Sequence, residues 1–457
     1  MAMTNVSSTA PTAAPPSTGT NYGPALAVLT TLFFIWGSLT SLNDVIIPFA
    51  QNTFKVNIAE SMLIQTAFFL AYFIFSIPSA KIIDWIGYKW AIIVGLGTMI
   101  AACLLFYPAA RIPSFPFFLT GFFILAAGIT VLQVAANPYV AVLGRPETAS
   151  SRLNLTQAFN SLGTAVFPWV GARLILHETV GAAAQTASQD AVIKLYDYFF
   201  AVVLVLLAIL FAVFKLPKME AVEHHIGQKV GDSVWRHPNL VYGAIGIFVY
   251  VGAEVAIGSD IANYLALPNI GRFSLEIADP AARYHSALAV AARYISLYWL
   301  GAMVGRFIGS AVLQKVKTSK VLAFCSAMAA LLVMVSVLTS GQVAMWSVLS
   351  IGLFNSIMFP CIFTSGIAEL GPLTGDGSGV LNMAIVGGAV IPYIVGQIAL
   401  RINRTYYPEM TQGEMSWGQG IHWALLIAAA CYLYILFYAV SGSKPNSERY
   451  GAAGARS

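Results

Sequence analysis

A chain of 457 residues that is 58% hydrophobic and 9% charged, with a mean hydropathy of +0.75, has too little polar surface to fold as a water-soluble globule. Its net charge of +5 is spread over Lys and Arg residues in short loops, with no stripe or cluster suited to nucleic acid. Apolar runs long enough to cross about 30 Å of hydrocarbon recur along the whole length, and the alternating segments of about ten residues that mark a transmembrane barrel do not. The composition therefore describes an all-α polytopic membrane protein.

In chain order, residues 1–22 are rich in Ala, Pro, Ser and Thr and carry no charge, so they read as a disordered tail, without the basic n-region of a signal peptide. Apolar spans follow at about 24–50, 62–82, 90–110, 116–142, 152–176 and 196–216, and a second set at about 240–266, 294–314, 320–340, 342–369, 378–400 and 419–441. This gives twelve transmembrane helices as two six-helix bundles, 23–217 and 239–441, with a linker at 218–238 and a tail at 442–457. With the amino terminus inside, the inner loops and tail hold fourteen Lys and Arg residues and the outer loops eight, which favours both termini in the cytoplasm.

The halves also look alike. Gly163-Thr-Ala-Val-Phe-Pro168 in the fifth span recurs as Gly387-Gly-Ala-Val-Ile-Pro392 in the eleventh, 224 residues later. Gly37 and Asp44 in the first span echo Gly252 and Asp260 in the seventh. A duplicated six-helix unit is the mark of a transporter whose halves rock about a midplane site.

Asp44 stands next to Asn43 in an otherwise lipid-like span, where an acid costs about 3 kcal/mol, so it is expected to face a protein interior or a wet cavity. As a proton carrier it would suffice for uphill import: one proton falling through about 150 mV carries about 3.5 kcal/mol, enough to concentrate a neutral solute a few hundredfold. Glu254 and Asp260 are the competing acids; either is the proton site or pairs with Arg306, and pairing suits Glu254 better.

Gln133 and Asn137 share a face of the fourth span, and Pro138 leaves a carbonyl of the preceding turn free. In the fifth span Gln157 and Asn160 repeat the arrangement beside Asn154, and Asn355 and Asn382 carry amides in the second half. Uncharged amides on several helices suit a neutral polyhydroxylated ligand, because each offers donors and acceptors to a pair of hydroxyls. Trp36, Phe34, Tyr250 and Tyr264 are candidates to stack on a sugar ring. Asp84 and Lys89, in a short loop after the second span, read as gate residues, as does Arg306.

The four cysteines lie singly in apolar spans without CxxC spacing, which excludes a metal or redox motif. No phosphate loop, GxSxG elbow or HExxH pair occurs, so nothing indicates an enzyme or a cofactor.

Several stretches resemble the fucose permease and glucose/galactose permease group of the major facilitator superfamily. They are FFIWGSLTSLNDVIIP at 33–48, LQVAANPYV at 132–140, ASSRLNLTQAFNSLGT at 149–164, FVYVGAEVAIGS at 248–259 and MWSVLSIGLFNSIMFP at 345–360. Asp84-Trp-Ile-Gly87-Tyr-Lys89 resembles a degraded form of the superfamily's loop signature, with Ala80 in place of its leading Gly. The resemblance implies a proton-coupled sugar importer of the inner membrane that works by alternating access, with Asp44 handling the proton and Trp36, Asn43, Gln157 and Asn160 facing the sugar; a monomer is expected to suffice for function. Gln133 stands where the fucose branch has a second acid. That departure favours glucose or galactose over fucose, mannose or N-acetylglucosamine.

Overall fold

The computed structural model describes residues 22–56, 58–61, 63–112, 114–175, 190–217, 232–406, 419–445 and 447. The tail expected before residue 22 and most of the linker and carboxy-terminal tail lie outside them. The described residues are overwhelmingly helical, and ten helices are long and apolar enough to cross a membrane.

Ten becomes twelve for two physical reasons. The helix Leu63–Arg111 is two spans, the second and third, meeting at Gly87, whose φ of 77° and ψ of 167° take the backbone out of the helix. Only glycine adopts such a conformation without steric cost. The fifth span, Ala149–Ile175, falls below the apolar threshold because Ser150, Ser151, Arg152, Asn154, Gln157 and Asn160 crowd its first half. The other spans of the first bundle are Gly23–Ser41 continued by Asn43–Phe54, Phe115–Val142 and Asp190–Val213. Those of the second are Pro238–Leu265, Ala282–Val312, Thr318–Leu338, Gly341–Gly366, Gly371–Tyr406 and Gly420–Gly442.

The eighth span begins at Ala282, about three turns of helix before the start that the hydropathy predicts. Arg283 and Arg293 mask its start, whereas Asp279 caps it by accepting from the Ala282 N–H at 2.8 Å, with Pro280 in the first turn.

Within each bundle, glycines set the close crossing of the first and fifth members. A Cβ on Gly163 would lie 2.4 Å from the Phe34 carbonyl oxygen, and one on Gly387 would lie 2.0 Å from that of Phe248. The repeated Gly-to-Pro motif thus marks the same helix contact in both halves. Around the outside, Leu70, Phe73, Trp85, Trp90, Leu206 and Val213 turn their side chains outward, as a lipid-facing surface requires.

Tyr22, Gly144, Pro217, Glu369 and Ser447 lie on one face of the molecule, here called the linker face: Tyr22 is near Gly144, and the Ser447 hydroxyl donates to Glu369 at 2.7 Å. At the linker's far end Asp232 accepts from the Ser233 N–H at 2.7 Å and meets His237 Nε2 at 2.8 Å, contacts that hold its carboxyl below the usual carboxylate range.

Candidate functional site

Helix interruptions mark the neighbourhood of the site. The first span tightens at Leu42, directly before Asn43 and Asp44. The tenth breaks after Asn355, and the eleventh passes through a 3-10 turn at Ala384–Val386, just after Asn382. Such irregular turns inside spans are tolerated where they are buried in protein or line a cavity.

Two prolines supply backbone acceptors. Pro138 has no N–H to give Val134, and the Val134 carbonyl instead accepts from the Ser378 hydroxyl of the opposite bundle at 2.8 Å. Pro360 frees the Ser356 carbonyl in the same way, and Arg306 Nε donates to it at 3.1 Å.

The bundles meet along a polar seam toward the linker face. Ser150 Oγ lies 2.6 Å from Thr364 Oγ1 and 2.9 Å from Thr318 Oγ1, while Ser151 and Ser310 exchange hydroxyl-to-carbonyl bonds of 2.7 and 3.0 Å. Asn154 Nδ2 donates back to the Ser150 carbonyl, and Asn382 Nδ2 to that of Ser378, both at 2.9 Å, so one Ser-Asn arrangement is used on both sides. At its edge Lys81 bridges Asp84 at 3.3 Å and Asp376 of the other bundle at 2.8 Å.

Deeper in the seam Arg306 crosses between bundles. Its Nη1 donates to the Gln157 carbonyl at 3.4 Å and to the Ser161 hydroxyl, and its Nη2 stands 3.9 Å from Glu254. Glu254 also accepts from the Tyr250 hydroxyl at 2.7 Å. Beside them Asn355 Nδ2 donates to Tyr298 at 2.7 Å and to Tyr432 at 3.3 Å.

The predicted residues divide accordingly. Gln157, Glu254 and Arg306 come together at the seam, and Tyr250 joins them as a hydrogen-bond donor where stacking was expected. Asn160 donates to the Phe33 carbonyl at 3.0 Å, tying the fifth span to the first, and Trp36 is buried with its ring centroid 4.6 Å from that of Phe33. Gln133 donates to the Tyr72 hydroxyl, and Asn137 is fully buried with neither amide atom bonded among the described residues.

Three expectations find other surroundings. Tyr264 packs inside the second bundle, its hydroxyl 2.8 Å from Ser336 and its ring stacked on His422. Asp260 is buried beside Asn263, which accepts from Tyr284 at 2.9 Å, away from Arg306. Lys89 binds the terminal carbonyls of the sixth span, Ala212 at 2.9 Å and Phe214 at 3.1 Å, within its own bundle. The side chains of Asn43 and Asp44 lie outside the described set.

Sequence reasoning missed Tyr72, Ser161, Tyr298, Tyr432 and the seam serines. The freed carbonyl before Pro360 was a usable signal, by the logic applied to Pro138. Single Ser and Tyr residues in apolar spans offer no comparable one. Among the described residues, no group of three or more His, Cys, Asp or Glu side chains comes together to hold a metal ion.

Twelve spans in two repeated bundles meeting at a polar seam define a transporter architecture, and the chain belongs to the Major Facilitator Superfamily, whose sequence model matches residues 26–393. Within it, the chain is 48% identical over 424 residues to the glucose/galactose transporter of Brucella abortus, covering 93% of this chain and 95% of that one. It is 31% identical over 392 residues to the L-fucose-proton symporter of Escherichia coli, covering 82% of this chain and 86% of the other. The crystal structure of the E. coli fucose:proton symporter superposes with a TM-score of 0.77 at 29% identity, covering 93% of this chain and 100% of that one. These relatives are transporters, not enzymes.

Proposed function

We propose that the protein is a proton-coupled symporter that imports a neutral hexose, glucose or galactose, across the inner membrane by alternating access. The observation that carries this reading is the set of uncharged buried amides on the fourth and fifth spans, in a chain nearly half identical to a relative named for glucose and galactose. Gln133, Asn137, Gln157 and Asn160 offer paired donors and acceptors to sugar hydroxyls without the desolvation cost of a charge. Asn43, Asn355 and Asn382 extend the set, and Trp36 supplies an apolar ring face.

Asp44 is the proton carrier, at the helix interruption of the first span. The linker face, rich in Lys and Arg, is cytoplasmic, so the seam closes the protein toward the cytoplasm. Parting the seam while the opposite ends close delivers the sugar inward.

The test is uptake of labelled glucose by membrane vesicles at two pH values, with unlabelled galactose, fucose, mannose and N-acetylglucosamine as competitors. Glucose and galactose should compete best, and uptake should rise with an inward proton gradient. Preferential competition by fucose would reassign the substrate, and uptake indifferent to the gradient would make the protein a passive facilitator. Asp44→Asn should abolish accumulation against a gradient while part of the exchange survives.

A further inference from the structure

Arg306 is the charged group that joins the two bundles deep in the seam, and its partners are unevenly held. Nε is bound to the Ser356 carbonyl of its own bundle, and Nη1 is committed to the Gln157 carbonyl and Ser161 hydroxyl of the other. The remaining nitrogen, Nη2, points toward Glu254 but stays at 3.9 Å, beyond a hydrogen bond. The guanidinium is thus held off the carboxylate by one contact within its own bundle and two that reach across to the other.

The titratable groups facing Glu254 are Tyr250 on its own helix, Arg306 and Tyr298 on the eighth span and Tyr432 on the twelfth. Tyr298 and Tyr432 accept from Asn355, and phenols are uncharged at neutral pH. Arg306 is therefore the counter-charge available to this carboxylate among the described residues.

Resting on the symport reading above, we propose that Arg306 exchanges partners during transport and that Glu254 thereby shares the proton coupling with Asp44. When the bundles part at the linker face, Nη1 loses both acceptors, and a buried guanidinium short of acceptors turns to the nearest one. A shift of about 1 Å closes it on Glu254 as a charge-assisted pair. Such a pair forms only with the carboxylate ionised: the Glu254 O–H bond breaks, the proton passes to water admitted through the open face, and the negative charge left on Glu254 meets the positive charge of Arg306. Reclosing the seam draws Arg306 back to Gln157 and Ser161, and Glu254 takes a proton from the opposite side. The Gln157 backbone carbonyl and the Glu254 carboxylate so compete for one cation, which ties the position of the fifth span, whose Gln157 and Asn160 amides are proposed sugar groups, to the state of the acid.

The experiment uses the full chain in proteoliposomes with labelled glucose and galactose. Glu254→Gln should lower accumulation driven by a pH gradient at least tenfold while counterflow falls less than threefold. Arg306→Gln should lower both at least tenfold, and the double variant should regain counterflow to within fivefold of wild type without regaining accumulation. Accumulation by Glu254→Gln within twofold of wild type, or a double variant no better than Arg306→Gln, would overturn the exchange and leave Arg306 a packing residue. A second measurement needs no sugar, and so separates this proposal from the hexose reading. In a Ser150→Cys protein, maleimide labelling of the seam between pH 5.5 and 8.5 should rise more steeply with Glu254 than with Gln at that position, since ionisation of Glu254 favours the open seam; superimposable profiles overturn the proposal.

Discussion

The amide of Asn160 serves the first span in this state, through its bond to the Phe33 carbonyl at 3.0 Å, while Asn137 has no partner for either amide atom among the described residues. These two residues separate packing from binding. An interhelical hydrogen bond in a bilayer is worth about 0.6 kcal/mol, so losing one barely moves stability. A hydroxyl-seeking amide lost from a sugar site instead leaves ligand groups unpaired, at about 1–3 kcal/mol each. Asn160→Ala is therefore expected to raise the half-saturating sugar concentration about tenfold with a small shift in thermal unfolding, measured by uptake kinetics and by unfolding in detergent. A destabilised protein with unaltered half-saturation would make Asn160 a helix tie alone. Asn137→Ala removes no bond present here, so its unfolding temperature should stay at the wild-type value or rise, since a buried unsatisfied amide is costly.

Among the elements, the crossing of the first and fifth spans is a tight constraint whose glycine motif stands in the sequence. Gly163 lies where any Cβ would strike the Phe34 carbonyl and the Ser38 hydroxyl, the latter at 2.8 Å, and Gly387 repeats the geometry against Phe248. Backbone cannot retreat as a flexible side chain can, so the helices must separate. Gly163→Val is expected to destabilise the first bundle by several kcal/mol, in the upper range for overpacked cores, and to be seen as loss of monodisperse protein in size-exclusion chromatography. A well-behaved variant of wild-type melting temperature would show that the crossing is looser than described. The motif Gly163–Pro168 and its repeat were legible as a duplication. That the duplicated feature is a helix contact was not, because a repeat shows only that two segments do the same thing.

For the whole molecule, the bundles are held at the linker face by mostly neutral bonds, with Lys81–Asp376 at the rim and Arg306 deeper in the seam as charged contacts among the described residues. Hydroxyl pairs such as Ser150–Thr364 can be exchanged for water at little net cost, which suits a contact that opens in every cycle. Ser150→Cys with Thr364→Cys, in a background with the neighbouring Cys361 replaced by Ala, should form a disulfide on mild oxidation, because the native hydroxyls are 2.6 Å apart. Transport should fall at least tenfold and return on reduction. Unimpaired transport by the crosslinked protein would mean that this seam does not open.

Composition and hydropathy alone determined that the chain lives in a membrane and crosses it about twelve times, since these follow from the local cost of placing each side chain in lipid, and the repeated Gly-to-Pro motif showed two copies of one plan. Pro138 even announced a free carbonyl, because a missing N–H is a property of the residue itself. The identity of its partner, Ser378, was settled by a contact 244 residues away. The position of Arg306 between Gln157, Ser161 and Glu254 likewise depends on how two bundles lie against each other to within an ångström or so, as does the diversion of Tyr264 and Lys89 to other duties. A hydrogen bond is made or lost over that distance, and no periodicity in one chain records it.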